Sequence, residues 1–470
     1  MKNFLVSAGC ISLIFITAVI AAGQSVELPA FLKTDVGARI DAYFSAFNAG
    51  DEPMKEFFLA NIAPESLKLR PVEPRVAFHR QVRNDFQKVK IEKVLSATAT
   101  EVKLVAKAAN GAAINYSFQI DPESKKIKAL GIEPVEGEDA TPASHIPAPA
   151  TKAEFTKTAG TFFDDLAKAD AFSGVVVVTK GDETIFSKAY GMASVEDKIP
   201  NRLDTRFNIG SINKDFTRIA IGQLIKQGKL KWNDKLISVL PDYPIKEAAQ
   251  KITIGQLVTM TSGIGDFVND KFWSMDRKNL RGLKDYLELF GSSPLLFEPG
   301  TSRRYSNGGY VVLGLVIEKL SGMSYYDYVK KNIYKPAGMN DSGSDFTDAL
   351  AANTAFGYTT HHRSEPGRGR NAMVLLGRSS SAGGGYSTAG DLLKFVTAIR
   401  NKTLEIPDDD GTFPARFAGI GSAGGMEGAN SLVETDERSG YTVIVLSNID
   451  PPSAERPGIQ LMRWLRNIKE

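Results

Sequence analysis

The stretch Ser211-Ile212-Asn213-Lys214 holds the most informative pattern in this chain of 470 residues. The residues after it are apolar at three- and four-residue steps, at Phe216, Ile219, Ala220 and Leu224. This spacing predicts a buried helix that begins at or near Ser211 and ends before Gly228. Because positions three apart share one face of a helix, we expect Lys214 within reach of the Ser211 hydroxyl.

The serine and the lysine form a candidate nucleophile with its own base. A free serine hydroxyl is a weak nucleophile and needs a neighbour that takes its proton. At the first turn of a helix, Ser211 also lies where unpaired backbone N–H groups stabilise negative charge. The same four residues also fit a helix-capping serine with a lysine on the surface. The chemical interpretation therefore needs a second element.

That second element is Tyr305-Ser306-Asn307, between the turn at Glu298-Pro299-Gly300 and an apolar helical stretch from Val311 to Val316. A tyrosine and an asparagine two residues apart at a loop-to-helix junction can both point into one cleft. We expect an adjacent ammonium group to favour the anionic form of Tyr305, which would then pass a proton to the leaving group. Asn307 offers an amide donor for a substrate carbonyl, or a partner that holds Lys214 in place.

These residues resemble the serine beta-lactamase and penicillin-binding-protein superfamily, in particular its class-C-like branch of esterases, D-amino-acid (S12-type) peptidases and beta-lactamase-related proteins. The resemblance covers most of residues 154–470. Besides the two motifs above, it includes these ordered segments: Phe172-Ser173-Gly174-Val175, Asp204-Thr205-Arg206-Phe207, Thr261-Ser262-Gly263-Ile264, Pro336-Ala337-Gly338-Met339 and Ala382-Gly383-Gly384-Gly385-Tyr386-Ser387-Thr388. It implies that Ser211, Lys214 and Tyr305 are catalytic, with the identity of the acylation base open between Lys214 and Tyr305.

The third motif of that family is lysine-threonine-glycine or histidine-x-glycine on a strand that lines the cleft. By order along the chain it falls on Ser422-Ala423-Gly424, followed by Gly425. No cation stands at its first position, so the usual contact to a substrate carboxylate is absent. The resemblance implies that Asn307 and residues 422–425 bind substrate, with the N–H groups of Gly425 and Ser211 as an oxyanion hole. A glycine-rich loop is the alternative for this segment.

Two further departures concern histidine and the length of one segment. Relatives often have histidine where this chain has Met260, and only Lys402 to Gly421 separate the helix near Arg400 from the third motif. The chain has four histidines, at positions 79, 145, 361 and 362, and none falls in a catalytic motif. We therefore expect no Ser-His-Asp triad. The adjacent pair at 361 and 362 fits a solvated loop or the rim of the cleft, and we expect no metal and no cofactor.

The amino terminus predicts export. Met1-Lys2 is a short positive start, Phe4 to Ile20 is apolar, and Ala21-Ala22-Gly23 fits a cleavage site, so residues 1–23 indicate a signal peptide. Cys10, the only cysteine, lies inside this segment, which leaves no disulfide for the mature chain. We expect a periplasmic or secreted bacterial protein with no stable membrane span after removal of the signal.

Two folded domains are expected after the signal peptide. Residues 27–133 begin with a helix through Ile40 and Phe47 and continue with four alternating stretches typical of strands. This order weakly resembles the SnoaL-like or nuclear-transport-factor-like α+β cones, and it fits a spacer or a homo-oligomerisation domain. Residues 134–153 have the composition of a linker. Residues 154–470 are expected to form a beta-lactamase-like α/β (α+β) fold, an antiparallel sheet flanked by helices with a helical subdomain.

The composition agrees with a globular enzyme. The chain is 43% hydrophobic and 24% charged with a net charge of +3, which gives no charge excess for nucleic acid binding. The predicted function is an exported serine hydrolase that acts through an acyl-enzyme on a small-molecule ester or peptide, with carboxylic esters preferred because Ser422 replaces the cation. The alternatives are a D-amino-acid peptidase or beta-lactam-interacting protein, and a catalytically silent binding protein of the same fold.

Overall fold

The computed structural model describes residues 28–69, 71–109, 113–134, 147–360, 367–371, 376–404 and 421–468. Contacts between Cα atoms divide the chain into two compact units, Met1–Ser144 and His145–Glu470. The predicted signal peptide at 1–23 lies outside the described residues, as does most of the predicted linker at 134–153. The exact domain boundaries remain a prediction.

The first unit consists of helices followed by an antiparallel sheet of four strands in sequence order. Its helices are Leu28–Phe31, Asp35–Ala49, Asp51–Asn61, Pro64–Leu69 and Val72–Phe86, and its strands are Val89–Ala97, Glu101–Ala108, Ala113–Ile120 and Ile127–Pro134. Aromatic side chains fill the space between the second helix and the sheet, as in the edge-to-face contact of Tyr43 with Phe118 at 5.3 Å. The likeness of this unit to SnoaL-like cones remains a prediction.

The second unit is built on a five-stranded antiparallel sheet. From one edge to the other, its strands are Gly421–Met426, Ala429–Asp436, Tyr441–Ser447, Gly174–Lys180 and Glu183–Tyr190. The valine run at 175–178 is buried because helices cover both faces of this strand. The first and last helices of the unit, Lys152–Lys168 and Glu455–Asn467, meet through Phe162 and Trp464, whose ring centroids are 5.3 Å apart. The predicted fold class is confirmed.

In the sequence, a helical subdomain lies between the strands Glu183–Tyr190 and Gly421–Met426. Its longest helices are Asn213–Lys226, Leu283–Phe290, Asn307–Ser321 and Ala389–Arg400, and shorter ones are Leu236–Val239, Lys246–Lys251, Ile254–Val258, Asp270–Ser274, Tyr325–Val329 and Lys335–Ala337. Short strand pairs link it to the sheet: Met192–Ser194 with Ile199–Pro200, Phe207–Asn208 with Tyr386–Ser387, and Tyr358–Thr359 with Gly369–Arg370.

The structure separates the two interpretations of the third motif. Residues 421–426 form the edge strand of the sheet and pair antiparallel with residues 429–434, so the glycine-rich-loop alternative is wrong. Residues 405–420 of the short connection before this strand lie outside the described residues. Across the described parts of the chain, no helix is both long and apolar enough to cross a membrane.

Candidate active site

A tight turn presents Ser211 at the start of the buried helix Asn213–Lys226. The chain leaves the short strand Phe207–Asn208 and makes one 3-10 turn at Gly210–Ile212 before the helix begins. Gly210 has a φ of +51°, and a Cβ on it would lie 2.9 Å from the amide nitrogen of Gly425. Only glycine combines this backbone conformation with this contact at low cost. The turn therefore brings the nucleophile candidate against the edge strand.

The three predicted catalytic residues meet at the Ser211 hydroxyl. Its Oγ lies 2.6 Å from the Tyr305 hydroxyl oxygen, and Lys214 Nζ donates a hydrogen bond to the same Oγ at 3.2 Å. The lysine reaches the serine because it lies three positions further along one helical turn, as the sequence predicts. Two groups that can take or return a proton thus contact one hydroxyl.

Lys214 is buried, with 2% of its surface exposed, and its ammonium is held on several sides. Nζ donates to Asn307 Oδ1 at 2.7 Å and also to the backbone carbonyl of Ala382, and it lies 4.8 Å from the ring centroid of Tyr305. Burial lowers the pKa of Lys214 to about 7, against the opposing effect of the carboxylate of Asp266. A large fraction of this amine is therefore neutral near neutral pH, as a general base requires.

The Tyr305 phenol behaves differently from the expectation. Its pKa is raised, chiefly by burial of the hydroxyl against the protein, and the hydrogen bond with Ser211 lowers it by less. The residue as a whole is 53% exposed, so its ring edge faces solvent while its hydroxyl faces the serine. The predicted anionic phenol is wrong, because desolvation outweighs any attraction to a lysine that is itself half neutral. The raised pKa keeps the Tyr305 phenol protonated near neutral pH.

Asn307 is the first residue of the helix Asn307–Ser321, and its position is fixed by the cap before it. Ser306 Oγ accepts from Gly309 N at 2.8 Å and donates to the Gly265 carbonyl at 2.9 Å. Of its two predicted roles, the geometry gives Asn307 the contact with Lys214. Its amide nitrogen donates to Asp266 Oδ2 at 2.8 Å.

The edge strand lies against the nucleophile turn, backbone to backbone. A Cβ on Gly424 would be 2.2 Å from the Ile209 carbonyl oxygen and 2.8 Å from Ser211 N. Asn430 Nδ2 donates to the Gly424 carbonyl at 2.9 Å, on the side of the neighbouring strand. Since a trans peptide points its C=O and its N–H in opposite directions, the N–H of Gly425 faces the turn. Ser422 is half-buried and Ala423 exposed, on the same strand.

Asp266 and the Ala382 carbonyl were missed by sequence reasoning. Asp266 follows the segment 261–264 and Ala382 begins the segment 382–388, and the resemblance includes both segments. No spacing rule links either residue to Lys214. Met260, where relatives often have histidine, is half-buried with a φ of +61° and accepts from Arg304 N through its carbonyl at 3.0 Å.

The described histidine and the acidic residues offer no metal site. His79 is in the first unit, where its Nδ1 lies 2.8 Å from the Arg75 carbonyl. The other three histidines, at 145, 361 and 362, lie outside the described residues. Within the described ranges, no group of three or more histidine, cysteine, aspartate or glutamate side chains is arranged to hold a metal ion.

Among known protein families, residues 159–463 match the family model described as Beta-lactamase. Penicillin-binding protein 4* of Bacillus subtilis (strain 168) is 31% identical over 250 residues, which are 51% of this chain and 54% of the relative. A putative penicillin-binding protein PbpX from the same organism is 30% identical over 60% of this chain and 72% of its own length. The chain thus spans only about half of the first of these relatives.

A solved structure gives the same result for the fold. The penicillin binding protein from Bacillus halodurans superposes with a TM-score of 0.57 at 28% identity, over 64% of this chain and 98% of its own. The match to the family model falls within the unit that contains Ser211.

Proposed function

Since this chain belongs to the Beta-lactamase family, we propose that Ser211 is the nucleophile of an acyl-enzyme mechanism that acts on carboxylic esters. Membership of the family confirms the predicted enzyme class, a serine hydrolase. The observation that carries the assignment of the nucleophile is the position of Ser211 Oγ between the Tyr305 hydroxyl at 2.6 Å and Lys214 Nζ at 3.2 Å.

The reaction begins when Ser211 Oγ attacks the ester carbonyl carbon. The hydroxyl proton passes to neutral Lys214, directly or through the Tyr305 phenol, and the carbonyl oxygen becomes an oxyanion. Collapse of this intermediate breaks the bond to the alcohol, which leaves with the proton that the lysine and tyrosine return. Water then adds to the acyl-enzyme by the same route, and the carboxylic acid and free Ser211 are released.

The oxyanion is assigned to the backbone N–H groups of Ser211 and Gly425. Support comes from the contact between the edge strand and the nucleophile turn, where the Gly425 N–H faces the turn. Two such donors, directed at the developing charge and needing no reorganisation, stabilise it strongly. Ser422, Ala423 and Gly424 complete the proposed substrate-binding surface, whereas Asn307, also predicted to bind substrate, holds Lys214.

The preference for esters rests on Ser422. A hydroxyl at this position supplies no positive charge for the free carboxylate of a peptide stem or an opened beta-lactam. A neutral ester needs no such partner, because its binding depends on the carbonyl and on apolar contacts. An ester substrate is therefore consistent with every group that the site retains.

An alkyl fluorophosphonate tests the nucleophile without knowledge of the substrate. Its phosphorus is attacked by an activated serine, fluoride leaves, and the adduct is located by mass spectrometry. We expect label on Ser211 of the purified protein, none on Ser211→Ala or Lys214→Ala, and full labelling of Ser302→Ala, an exposed serine in the loop before Tyr305. Labelling that persists in Ser211→Ala would overturn the assignment. An unlabelled but folded protein would favour the silent binding protein.

A second candidate, action on D-amino-acid peptides or beta-lactams, is favoured by the names of the relatives, two of which are penicillin-binding proteins. Incubation with benzylpenicillin distinguishes it. A stable penicilloyl adduct on Ser211, together with slow ester turnover, would replace the ester proposal. Rapid ester turnover without an adduct would exclude this candidate.

Export and self-association are further proposals. The apolar segment after Lys2 supports a signal peptide and a periplasmic or secreted location, which the amino-terminal sequence of the protein recovered from the producing bacterium tests. The first unit, with its own core, supports a role in homo-oligomer formation. Light scattering of the mature chain and of residues 147–470 measures it, and equal oligomeric states would exclude that role.

A further inference from the structure

The carboxylate of Asp266 is linked to Ser211 through two other side chains. Asp266 contacts Asn307, Asn307 contacts Lys214, and Lys214 contacts Ser211. Asp266 Oδ2 accepts from the Asn307 backbone N at 3.2 Å and from Asn307 Nδ2 at 2.8 Å, while its Oδ1 accepts from Val268 N at 3.1 Å. The side chain is half-buried in the loop before the helix Asp270–Ser274. The oxygen that faces Asn307 is thus engaged by two donors of that residue.

A carboxylate only accepts hydrogen bonds, and this fixes the orientation of the Asn307 amide. Because the Nδ2 side must face Asp266, the Oδ1 side must face Lys214, to which it is 2.7 Å away. With the amide reversed, an N–H group would point at the lysine amine and an oxygen would point at the carboxylate. Both contacts would then be unfavourable, and Lys214 would lose an acceptor beside Ser211.

We propose that Asp266 is a positioning residue for the reaction, because its carboxylate fixes the Asn307 side chain and, through it, the amine of Lys214 beside Ser211. This inference rests on the proposed function of Ser211 and Lys214. It assigns no contact with substrate to Asp266. The carboxylate acts in two ways, through the orientation of an amide and through its negative charge.

The negative charge of Asp266 acts on Lys214 together with the other groups that face this lysine. From the lysine's own helix these are Asp215 and Arg218, which form an ion pair with each other. From the segment that carries Asn307 they are the phenols of Tyr305 and Tyr310, whose ring centroids lie 4.8 and 5.5 Å from Nζ. Among the charged neighbours, Asp266 has the largest effect on the pKa of Lys214. It raises this pKa, whereas Arg218 lowers it.

The pH dependence of fluorophosphonate labelling separates this role from a structural one. Labelling of the wild-type protein is expected to increase with pH as Lys214 loses its proton. In Asp266→Asn, loss of the negative charge lowers the lysine pKa, so the midpoint moves to lower pH by about one pH unit. The labelling rate on the plateau falls, since the amine is a weaker and less well oriented base. In Asp266→Glu, which keeps the charge, the midpoint returns toward the wild-type value.

Two other variants serve as matched comparisons. Arg218→Gln removes a positive charge near the same amine, so its midpoint moves to higher pH, opposite to that of Asp266→Asn. Asp270→Asn removes an exposed carboxylate four residues further along the chain and leaves the midpoint unchanged. Asp266→Ser supplies a second neutral variant if Asp266→Asn does not fold.

The outcomes distinguish the inference from the proposed function. If the wild-type protein is labelled at Ser211 but the neutral variants of Asp266 keep its midpoint, the positioning role is wrong. The same conclusion follows if Asp266→Asn and Arg218→Gln move the midpoint in one direction. If the folded wild-type protein is not labelled at any pH, the proposed function itself fails.

Discussion

Replacement of Gly424 by alanine tests whether the contact between the edge strand and the nucleophile turn is required for catalysis. A Cβ at this position would lie 2.2 Å from the Ile209 carbonyl oxygen, 2.6 Å from Ser431 Oγ and 2.8 Å from Ser211 N. Ordinary contacts of a Cβ begin at 3.4 Å. Two of the three obstacles are backbone atoms, so a rotamer change cannot relieve the overlap. The strand and the turn must separate by about 1 Å.

The expected effects follow from that displacement. Insertion of a methyl group into a packed contact costs about 1–3 kcal/mol of stability. A misplacement of about 1 Å between a nucleophile and its oxyanion donors lowers the rate by about 100-fold. We therefore expect Gly424→Ala to remain folded with a reduced free energy of unfolding and to react with the fluorophosphonate at about 1% of the wild-type rate.

The assay compares the second-order rate constant of labelling with the thermal unfolding of the same samples. Gly160→Ala is the matched control, because its Cβ meets only Phe186 at 3.9 Å and it lies within the helix Lys152–Lys168. Alanine there is expected to leave the labelling rate unchanged and to stabilise the helix by up to about 1 kcal/mol. Labelling of Gly424→Ala at the wild-type rate would refute the argument. An equal loss of labelling rate in Gly424→Ala and Gly160→Ala would also refute it.

Two further predictions concern the proton path. Tyr305→Phe removes the 2.6 Å contact with Ser211 Oγ, and we expect kcat/KM for an activated ester to fall by about 10²–10⁴-fold, with an unchanged KM as the sign that the hydroxyl does not bind substrate. Wild-type activity in this variant would assign the proton transfer to Lys214 alone. Because Lys214 must be neutral to act as base and its pKa is about 7, kcat/KM is expected to rise with pH through about 7 and then level, and an acid limb that persists in Lys214→Ala would contradict this origin.

The contact between Ser211 and Lys214 was predictable because a local rule determines it, whereas the approach of Tyr305, 94 residues further along the chain, was expected only from the family resemblance. The i, i+3 spacing of Ser211 and Lys214 has only one geometric result on a helix, and the turn before Asn307 leads directly into an apolar helix. The structure brings Ser211, Lys214, Tyr305 and Asn307 together. The four strands of the first unit likewise follow from alternation between turn signals.

Other features depend on contacts between distant segments, which no local pattern encodes. Asp266 reaches Asn307 across 41 residues of sequence. The raised pKa of Tyr305 depends on what surrounds its hydroxyl, whereas the sequence shows only which charges are near in the chain. In the first unit, the helices Asp51–Asn61 and Val72–Phe86 were not predicted, because each has a proline at its third position and tertiary packing decides its formation.

The third motif separates two tasks that the family usually assigns to one strand. Holding an oxyanion needs a backbone N–H at a fixed place, and this depends on glycine at 424, where any side chain would keep the strand away from the nucleophile turn. Recognition of a substrate carboxylate needs a cationic side chain, and Ser422 has none. The first task constrains the chemistry of the reaction, while the second constrains only the substrate. We therefore propose that a chain that retains Gly424 without the cation keeps the acyl-transfer reaction and loses the main electrostatic preference for an anionic substrate, and this supports a neutral ester as the proposed substrate.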